Sequence, residues 1–223
     1  MKAIVSLSGG MDSATVLALA LEKGREVLAV GFTYGSKHNR YENEAARKIA
    51  EHYAVSFRLL DLTPIMGEFR SDLLLSGGEV PEGHYAEEAM RRTVVPFRNG
   101  IFCSILAGIA GSVEAGELWL GVHAGDHFIY PDCRPEFVLH METAIRKGLD
   151  RDEFRLKTPF LQCTKQDILH AGFNMKRQVP YELTRTCYKD QMPACGKCGS
   201  CRERLEAFQL LGKADPIEYV EGV

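Results

Sequence analysis

Four cysteines near the C-terminus have the spacing of a metal site. They lie in the segment "CYKDQMPACGKCGSC", at Cys187, Cys195, Cys198 and Cys201. Glycines between the last three cysteines allow tight turns, and four closely spaced thiolates favour a closed, tetrahedral zinc site of the structural type. An iron–sulfur cluster is the alternative, because C-x2-C-x2-C runs also occur in cluster proteins. Four thiolates leave no open position on zinc, so we expect a structural rather than a catalytic ion.

A serine- and glycine-rich turn near the N-terminus has the residue types of a phosphate-binding loop. The run "SLSGGMDSAT" (6–15) follows an apolar, strand-like segment and precedes one with helical spacing. It lacks the lysine of a Walker loop and the third glycine of a dinucleotide fingerprint. At the start of a helix its backbone N–H groups can bind an anion, and Asp12 can hold a magnesium ion that bridges to a nucleotide. Alternatively, Asp12 and Ser13 only cap the helix.

Strand-like and helix-like segments alternate around this turn. Strands are predicted at 26–35, 55–62 and 117–122, and helices at 40–53, 99–116, 135–148 and 164–171, with a last helix after the cysteines. This order predicts a parallel sheet with right-handed crossovers. The polar segment 63–93 is predicted to be a lid or an active-site loop, because connections of that length are uncommon without a role. We therefore predict an α/β domain over 1–160 and a cysteine-bearing helical extension over 161–223.

The composition is that of an ordinary soluble protein. A chain of 223 residues can bury a self-sufficient core, and a formal charge of -3 lacks the basic excess of a nucleic-acid binder. The first strand begins by residue 3, which leaves no room for a signal peptide. No apolar run approaches the ~20 residues that a membrane span requires. We expect a cytoplasmic protein that binds a small molecule and does not bind a membrane. The sequence has no strong sign of nucleic-acid binding.

The N-terminal loop and three later motifs carry a family resemblance. The run S-G-G-x-D-S resembles the pyrophosphate loop of ATP-dependent adenylating enzymes, whose fold is an adenine-nucleotide hydrolase-like, doubly wound parallel sheet. "VPFRN" (95–99), "YPDCR" (130–134) and the cysteine segment resemble the 7-cyano-7-deazaguanine synthase family. That resemblance implies ATP-dependent conversion of 7-carboxy-7-deazaguanine and ammonia to the nitrile, through an adenylated carboxylate and an amide. It implies ATP, magnesium and structural zinc as cofactors, in the pathway to queuosine and archaeosine.

The resemblance also implies which residues bind ATP. They are the loop residues Ser8, Gly9, Gly10, Met11, Asp12 and Ser13, together with His38 near the adenosine. Asp12 and Ser13 would be catalytic, and Lys165 would neutralise charge on the departing pyrophosphate. A lone histidine such as His38 can also have a purely structural role.

The substrate pocket is expected to need cations and hydrogen-bond acceptors. The resemblance places there Arg98, Asp126, Tyr130, Asp132 and Arg134. The arginines supply two-donor forks for a carboxylate or phosphate, and Arg98 is also assigned to catalysis. The aspartates match the N–H edge of a guanine-like base or could hold magnesium, and Tyr130 could stack on the base. The alternatives are purely structural: Arg98 caps the following helix, and "YPDC" forms an ordinary turn.

Two positions depart from the family pattern. His123-Ala124 stands where many members have a Cys-Glu pair, and Phe97 stands where they have glycine. His123 and His127 could be general bases for the incoming amine, and Cys133 could be a nucleophile or only a small side chain. The alternative function is a related ligase that transfers the adenylated deazaguanine acid to an amine on a protein or RNA. We also expect a homodimer, because long pocket loops are often completed by a neighbouring subunit.

Overall fold

The protein is built on one parallel sheet of five strands. The computed structural model describes residues 1–83 and 88–222. Its strands are β1 (Lys2–Ser6), β2 (Glu26–Thr33), β3 (Ser56–Asp61), β4 (Glu117–Trp119) and β5 (Arg155–Lys157). They lie in the order β3-β2-β1-β4-β5, and every neighbouring pair is parallel. This confirms the predicted doubly wound α/β class.

Seven helices are described along the chain. They are α1 (Met11–Glu22), α2 (Asn39–Tyr53), α3 (Thr63–Met66), α4 (Arg98–Ser112), α5 (Pro135–Gly148), α6 (Lys165–Phe173) and α7 (Gly199–Leu210), with 3-10 turns at Glu88–Thr93, Ala124–His127, Pro131–Cys133 and Tyr181–Leu183. Side chains of α1, α2, α6 and α7 share one core, while those of α4 and α5 share the other. The sheet therefore has helices packed on both faces.

Strand β1 explains why both faces must be covered. Ile4 belongs to the core beneath α4 and α5, whereas Ala3 and Val5 belong to the core beneath α1 and α2. All three side chains are at most 1% exposed. A strand that is apolar on both faces cannot face water on either, which is the usual condition of a parallel sheet.

The position of the ligand-binding crevice follows from the strand order. Strand β1 lies between β2 and β4, with Lys2 opposite Glu26 and Ala3 opposite Glu117. The helix after β1 covers one face of the sheet and the helix after β4 covers the other. Their connections diverge at the carboxyl ends of β1 and β4, which opens a crevice there.

The C-terminal segment shares its core with the sheet. Ile168 and Leu169 of α6 and Phe208 of α7 are at most 1% exposed, in the same cluster as Val5 and Leu17. The division into two domains at residue 160 stays a prediction.

The segment 63–93 begins with α3 and ends in a 3-10 turn. Its side chains Leu73, Leu74 and Met90 are buried in the core beneath α4. Residues 84–87 lie outside the described part of the chain. Because its apolar side chains fill this core, the described part of the segment contributes packing to the domain.

One apolar stretch among the described residues, Ala89–Ser112, is long and apolar enough to cross a membrane by length and composition. In the fold, its α4 portion packs on the sheet, with Cys103, Leu106 and Ala110 buried. A core helix passes the same test, so this stretch is weak evidence for a membrane span.

Candidate active site

The turn between β1 and α1 is shaped to leave backbone N–H groups free. Gly9 has a φ of +91°, and a Cβ there would lie 2.3 Å from the carbonyl oxygen of Glu42. Only glycine fits both requirements. Gly10 precedes α1 in an extended conformation, and no side chain caps the helix. The first turn of α1 can therefore bind an anion, and Asp12 and Ser13 do not cap it.

The hydroxyl groups of the loop brace its own backbone. Ser13 Oγ donates to the carbonyl oxygen of Gly10 at 3.0 Å and accepts from the N–H of Ser8 at 3.2 Å. Ser8 Oγ accepts from the N–H of Gly10 at 3.2 Å and lies 3.1 Å from Ser13 Oγ. These bonds hold the loop in one shape before any ligand arrives.

Asp12 and Lys165 form a buried ion pair at the loop. Lys165 Nζ lies 2.9 Å from Asp12 Oδ2 and 3.0 Å from Glu203 Oε2. Burial raises the pKa of Asp12, but the nearby Lys165 and His123 lower it by a larger amount. The net pKa of Asp12 is therefore below its usual value. Burial lowers the pKa of Lys165, but Asp12 and Glu203 raise it more, so the net pKa is raised. Both side chains are charged at neutral pH.

His123 faces three carboxylates. Its Nε2 lies 3.6 Å from Asp126 Oδ2, 3.8 Å from Asp12 Oδ2 and 4.0 Å from Glu203 Oε1. Its Nδ1 accepts a hydrogen bond from the N–H of Gly125 at 3.1 Å. An imidazole that accepts a hydrogen bond at Nδ1 can carry a proton only on Nε2. His123 therefore directs a proton towards the acidic side chains.

Two residues predicted for the substrate pocket lie in the cavity wall. Arg98 begins α4, with its guanidinium carbon 6.0 Å from the ring centre of Tyr130 and its Nη1 3.5 Å from the hydroxyl of Tyr34. The Tyr130 hydroxyl lies 2.9 Å from Thr93 Oγ1. A cation and an aromatic ring are thus held beside each other in the cavity wall.

Asp132 and Arg134 make other contacts. Asp132 Oδ2 accepts from the N–H of Asn99 at 2.8 Å, so this carboxylate caps the first turn of α4. Arg134 is exposed, and its Nε donates to the carbonyl oxygen of His127 at 3.0 Å. Asp132 thus caps the helix that Arg98 begins, and Arg134 lies at the surface.

His38 and Glu42 form a second buried pair across the cavity. His38 Nε2 lies 3.3 Å from Glu42 Oε2. Burial, together with Arg98 and Arg185, lowers the pKa of His38 to about 3. Burial raises the pKa of Glu42 to about 8, although the same two arginines oppose the shift. These shifts favour the uncharged forms of both groups, and a neutral pair of donors and acceptors suits a purine base.

One cavity of about 190 Å³ gathers most of the predicted residues at the carboxyl ends of β1, β2 and β4. Those lining it are Ser8, Gly10, Met11, Asp12, Ser13, His38, Arg98, Asp126, Tyr130 and Lys165. Gly9, Asp132 and Arg134 do not line it. The loop, the arginine and the aromatic ring thus face one space.

Cys133 also lines the cavity but is poorly suited to be a nucleophile. Its Sγ accepts from Asn99 Nδ2 at 3.1 Å, and the residue is 2% exposed. Burial and then the charges of Asp126 and Asp132 raise the pKa of the thiol well above its usual value. Because the thiolate is the reactive form, the structure favours Cys133 as a small packing residue.

The four cysteines of the C-terminal segment meet in space. Their sulfur atoms all lie within 4.8 Å of one another, and all four residues are buried. Backbone N–H groups of Cys195 and Lys189 donate to Cys187 Sγ at 3.4 Å, as does that of Cys198 to Cys195 Sγ at 3.3 Å. Zn–S bonds of about 2.3 Å place tetrahedral sulfurs about 3.8 Å apart. The donor set fits a single zinc ion, whereas the ligands of a multi-iron cluster would lie farther apart.

Comparison with known families agrees with this geometry. The family described as Queuosine biosynthesis protein QueC matches residues 2–212. The chain belongs to this family. Two proteins named 7-cyano-7-deazaguanine synthase are similar to it throughout. The protein of Marinomonas sp. (strain MWYL1) is 45% identical over 218 residues, which cover 98% of this chain and 98% of that protein. The protein of Methanoregula boonei is 45% identical over 219 residues, which cover 98% of this chain and 99% of that protein.

A solved structure from Methanocaldococcus jannaschii, titled as a predicted subunit of tRNA methyltransferase, is 18% identical with a TM-score of 0.49. The likeness covers 76% of this chain and 73% of that one.

The structure explains one of the two departures from the QueC family pattern. Phe97, where glycine is expected, has a φ of +55° and immediately precedes α4. Glycine adopts this left-handed conformation without strain, whereas a side chain rarely does. The Phe97 ring lies over Gly100, where a Cβ would approach it to 2.3 Å. Phe97 thus adopts a backbone conformation that suits glycine, and its ring rests on the neighbouring Gly100.

Several residues of the site were missed by the sequence analysis. Tyr34, Glu42, Arg185 and Tyr188 line the cavity, and Glu203 contacts Lys165. Glu42 lies one turn after His38, so helical spacing from that residue would have pointed to it. Arg185 and Glu203 come from the cysteine-bearing segment and reach the loop only through the tertiary fold, so no local pattern points to them.

Proposed function

We propose that this protein is a 7-cyano-7-deazaguanine synthase. It uses ATP to convert 7-carboxy-7-deazaguanine and ammonia to the nitrile, in queuosine-type deazapurine biosynthesis. One observation carries the proposal: relatives of that name match 98% of the chain, and the N-terminal loop, Arg98 and Tyr130 face one cavity at the switch point of the sheet. The names of these relatives favour nitrile formation over transfer to an amine on a protein or RNA.

The first half of the reaction activates the carboxylate. A carboxylate oxygen attacks the α-phosphorus of ATP, the bond to the β-phosphate breaks, and pyrophosphate leaves. The free N–H groups at the start of α1 bind the phosphates, with Ser8 and Ser13 fixing the shape of the loop. Lys165 offsets the negative charge that grows on pyrophosphate. Ammonia then attacks the acyl carbon, loses a proton, and displaces AMP to give the amide.

The second half dehydrates the amide. The amide oxygen attacks the α-phosphorus of a second ATP, and pyrophosphate leaves. The nitrogen then loses its two protons while the carbon–oxygen bond to AMP breaks, which leaves the nitrile. Arg98 and Tyr130 would hold the acid and its ring through both steps, since the same pocket must accept acid and amide. Asp126 would accept hydrogen bonds from the N–H edge of the base. His123, with its Nε2 proton directed at Asp126, would orient that carboxylate.

Magnesium and zinc have separate places in this proposal. Asp12 Oδ1 is buried without a hydrogen-bond partner, so it is suited to bind a cation. Asp12, with Asp126 nearby, would hold magnesium, which supplies positive charge to the phosphates when bound. Cys187, Cys195, Cys198 and Cys201 would hold zinc as a structural ion. Asp132 and Arg134 remain proposed substrate residues, with Asp132 acting through Arg98 and its helix.

A homodimer and a cytoplasmic location are also proposed. Three exposed apolar side chains, Phe97, Phe128 and Leu139, lie close in sequence to Arg98, Asp126 and Arg134. A second copy covering them would complete the mouth of the cavity. Light scattering on the purified protein would show a mass of two chains.

The test of function is mass spectrometry of the products. The purified protein is incubated with ATP, magnesium, 7-carboxy-7-deazaguanine and ammonium. We expect the nitrile, with AMP and pyrophosphate released. An adenylate or amide that accumulates without nitrile would contradict the proposal, and omission of ammonium should stop the reaction at the adenylate.

A further inference from the structure

Glu203 connects the cysteine cluster to the ATP loop. It lies in the first turns of α7, the helix that begins beside Cys198 and carries Cys201. Its Oε2 lies 3.0 Å from Lys165 Nζ and its side chain is 16% exposed. Lys165 is held on its other side by Asp12 at 2.9 Å. The ammonium group thus lies between a carboxylate of the loop and a carboxylate of the cysteine segment.

The helix that carries Glu203 is fixed on two sides. Cys201 belongs to the cluster, and Arg204 is completely buried. Arg204 makes a two-pronged ion pair with Asp215, at 2.7 and 2.8 Å, and donates to Thr184 Oγ1 at 2.6 Å. A helix held at both neighbouring positions cannot rotate freely. The carboxylate of Glu203 is therefore set by the cluster and by Arg204 together.

The opposite wall of the site leaves room for this carboxylate. Gly125 follows His123 in the loop after β4, and a Cβ there would lie 2.7 Å from Glu203 Oε1. A side chain at this position would displace the end of the Glu203 side chain and crowd the His123 ring. Gly125 therefore leaves space for the present position of the Glu203 carboxylate.

The two partners of Lys165 have different duties. Asp12 lies in the first turn of α1, and its Oδ1 is buried without a hydrogen-bond partner, so it is the carboxylate that would turn towards a cation when the nucleotide is bound. Glu203 Oε2 accepts no hydrogen bond either and meets Lys165 as an ion pair at 3.0 Å. Glu203 can keep the ammonium in place while Asp12 turns. Without Glu203, the only carboxylate within 3 Å of the ammonium among the described contacts is Asp12, and Lys165 would compete with the cation for it.

We propose that Glu203 is a positioning residue that holds Lys165 at the ATP loop, and that the cysteine cluster acts on adenylation through it. The inference rests on the proposed function. It assigns the C-terminal metal module a part in the chemistry, in addition to holding the chain together.

The test compares Glu203→Gln with Glu203→Asp, and with Glu206→Gln as a matched control on an exposed part of α7. Initial rates with ATP, magnesium, the acid and ammonium give kcat and the KM for ATP. We expect Glu203→Gln to lower kcat roughly 10- to 100-fold and to leave KM within about threefold. Glu203→Asp keeps the charge and should recover part of the rate. Glu206→Gln should match the wild type.

A second measurement shows whether Glu203 acts through Lys165. Single-turnover pyrophosphate release is measured for Lys165→Met with and without Glu203→Gln. We expect no further loss in the double variant, because the group being positioned is already absent. In Glu203→Gln, elemental mass spectrometry should show wild-type zinc content, and the melting temperature should match that of the wild type. If Glu203→Gln loses zinc, the rate of Glu203→Asp decides the test.

Three results would overturn the proposal. The first is a wild-type kcat in Glu203→Gln. The second is that Glu203→Gln lowers the rate of pyrophosphate release by the same factor in the wild type and in Lys165→Met. The third is a Glu203→Asp variant that is slow and has also lost its zinc, which would mean that Glu203 only holds the cluster together. A wild-type protein that makes no nitrile is a different result, since it contradicts the proposed function.

Discussion

At the scale of single residues, Asp12 is prepared for two partners at once. Its Oδ2 accepts from Lys165, while its Oδ1 is buried with nothing to accept from. A buried acceptor without a partner costs about 1–3 kcal/mol. Lys165 and His123 keep the pKa of Asp12 low despite burial, so the orphan oxygen stays ionised. A bound cation would relieve this cost.

Replacement of Asp12 should therefore abolish adenylation and leave the fold intact. Asp12→Ala removes the cation ligand and little packing. We expect ATP–pyrophosphate exchange to fall at least roughly 100-fold. Asp152→Ala, which removes an exposed carboxylate paired with Lys147, is the control and should exchange normally. Normal exchange in Asp12→Ala would refute the assignment of the loop.

Glu42 predicts a pH dependence of stability. Its pKa is raised to about 8 by burial, from an ordinary value of 4.5, while the facing groups are His38, Arg98, Arg185 and Tyr34. Between those two pH values the unfolded chain has lost the proton that the folded chain keeps. This group's contribution to stability is thus complete below the lower value, falls through the window, and is constant above about pH 8.

Glu42→Gln should remove that slope. The amide is neutral at every pH, so the variant should gain on the wild type as pH rises, by at most about 1.4 kcal/mol per pH unit. The free energy of unfolding, measured in urea at several pH values from 5 to 9, gives the difference directly, and other titrations cancel. A difference that does not change with pH would show that Glu42 titrates normally in the fold.

At the scale of elements, the cysteine cluster orders the segment around it. The backbone of Glu82 forms an isolated β-bridge with that of Cys198, and the N–H of Gly83 donates to the carbonyl oxygen of Lys197. The ammonium group of Lys189 forms an ion pair with the carboxylate of Glu82. Tyr219 and Ile217 pack on the same cluster. Four separate stretches of backbone thus converge on a group of sulfur atoms that has few apolar side chains around it. We therefore expect such a small core to need a bound metal ion to stay folded.

Loss of one ligand should loosen this segment alone. Cys198→Ser removes a central sulfur, so we expect loss of zinc and rapid protease cleavage within residues 185–210. Cys163→Ser, at a half-buried cysteine outside the cluster, is the control. Limited proteolysis with mass spectrometry locates the cuts. Loss of zinc without any new cleavage there would show that the segment holds itself together.

The sequence predicted those elements whose signals are local. The helix predicted at 135–148 is α5 as observed, because Pro135 and an acidic first turn mark its start. Strand β5 was missed, since in its three residues only Leu156 is buried. The cysteine cluster was predictable from spacing. Glu203 was not, because its contact with Lys165 joins two elements that no periodicity relates.

At the scale of the whole molecule, the question is whether the sheet and the C-terminal segment unfold together. Helix α6 packs on α1, and α7 packs on α6. Tyr181 reaches from the C-terminal segment to Thr15 of α1, where the two hydroxyl groups lie 3.0 Å apart in the core. Removing one unit would uncover apolar side chains of the other. A shared core couples the stability of its parts.

We therefore expect the zinc-loaded protein to unfold in one cooperative transition. Scanning calorimetry should give a calorimetric enthalpy equal to the van't Hoff enthalpy, and saturating ATP with magnesium at about 100 times Kd should raise the single Tm by roughly 5–10 °C. Two transitions, with only the one of the sheet raised by nucleotide, would contradict this coupling and support a true domain boundary at residue 160. Lys165 and Asp12 belong to opposite sides of the proposed boundary, so both sides contribute to the candidate active site. A single transition would mean that this site is lost only when the whole molecule unfolds.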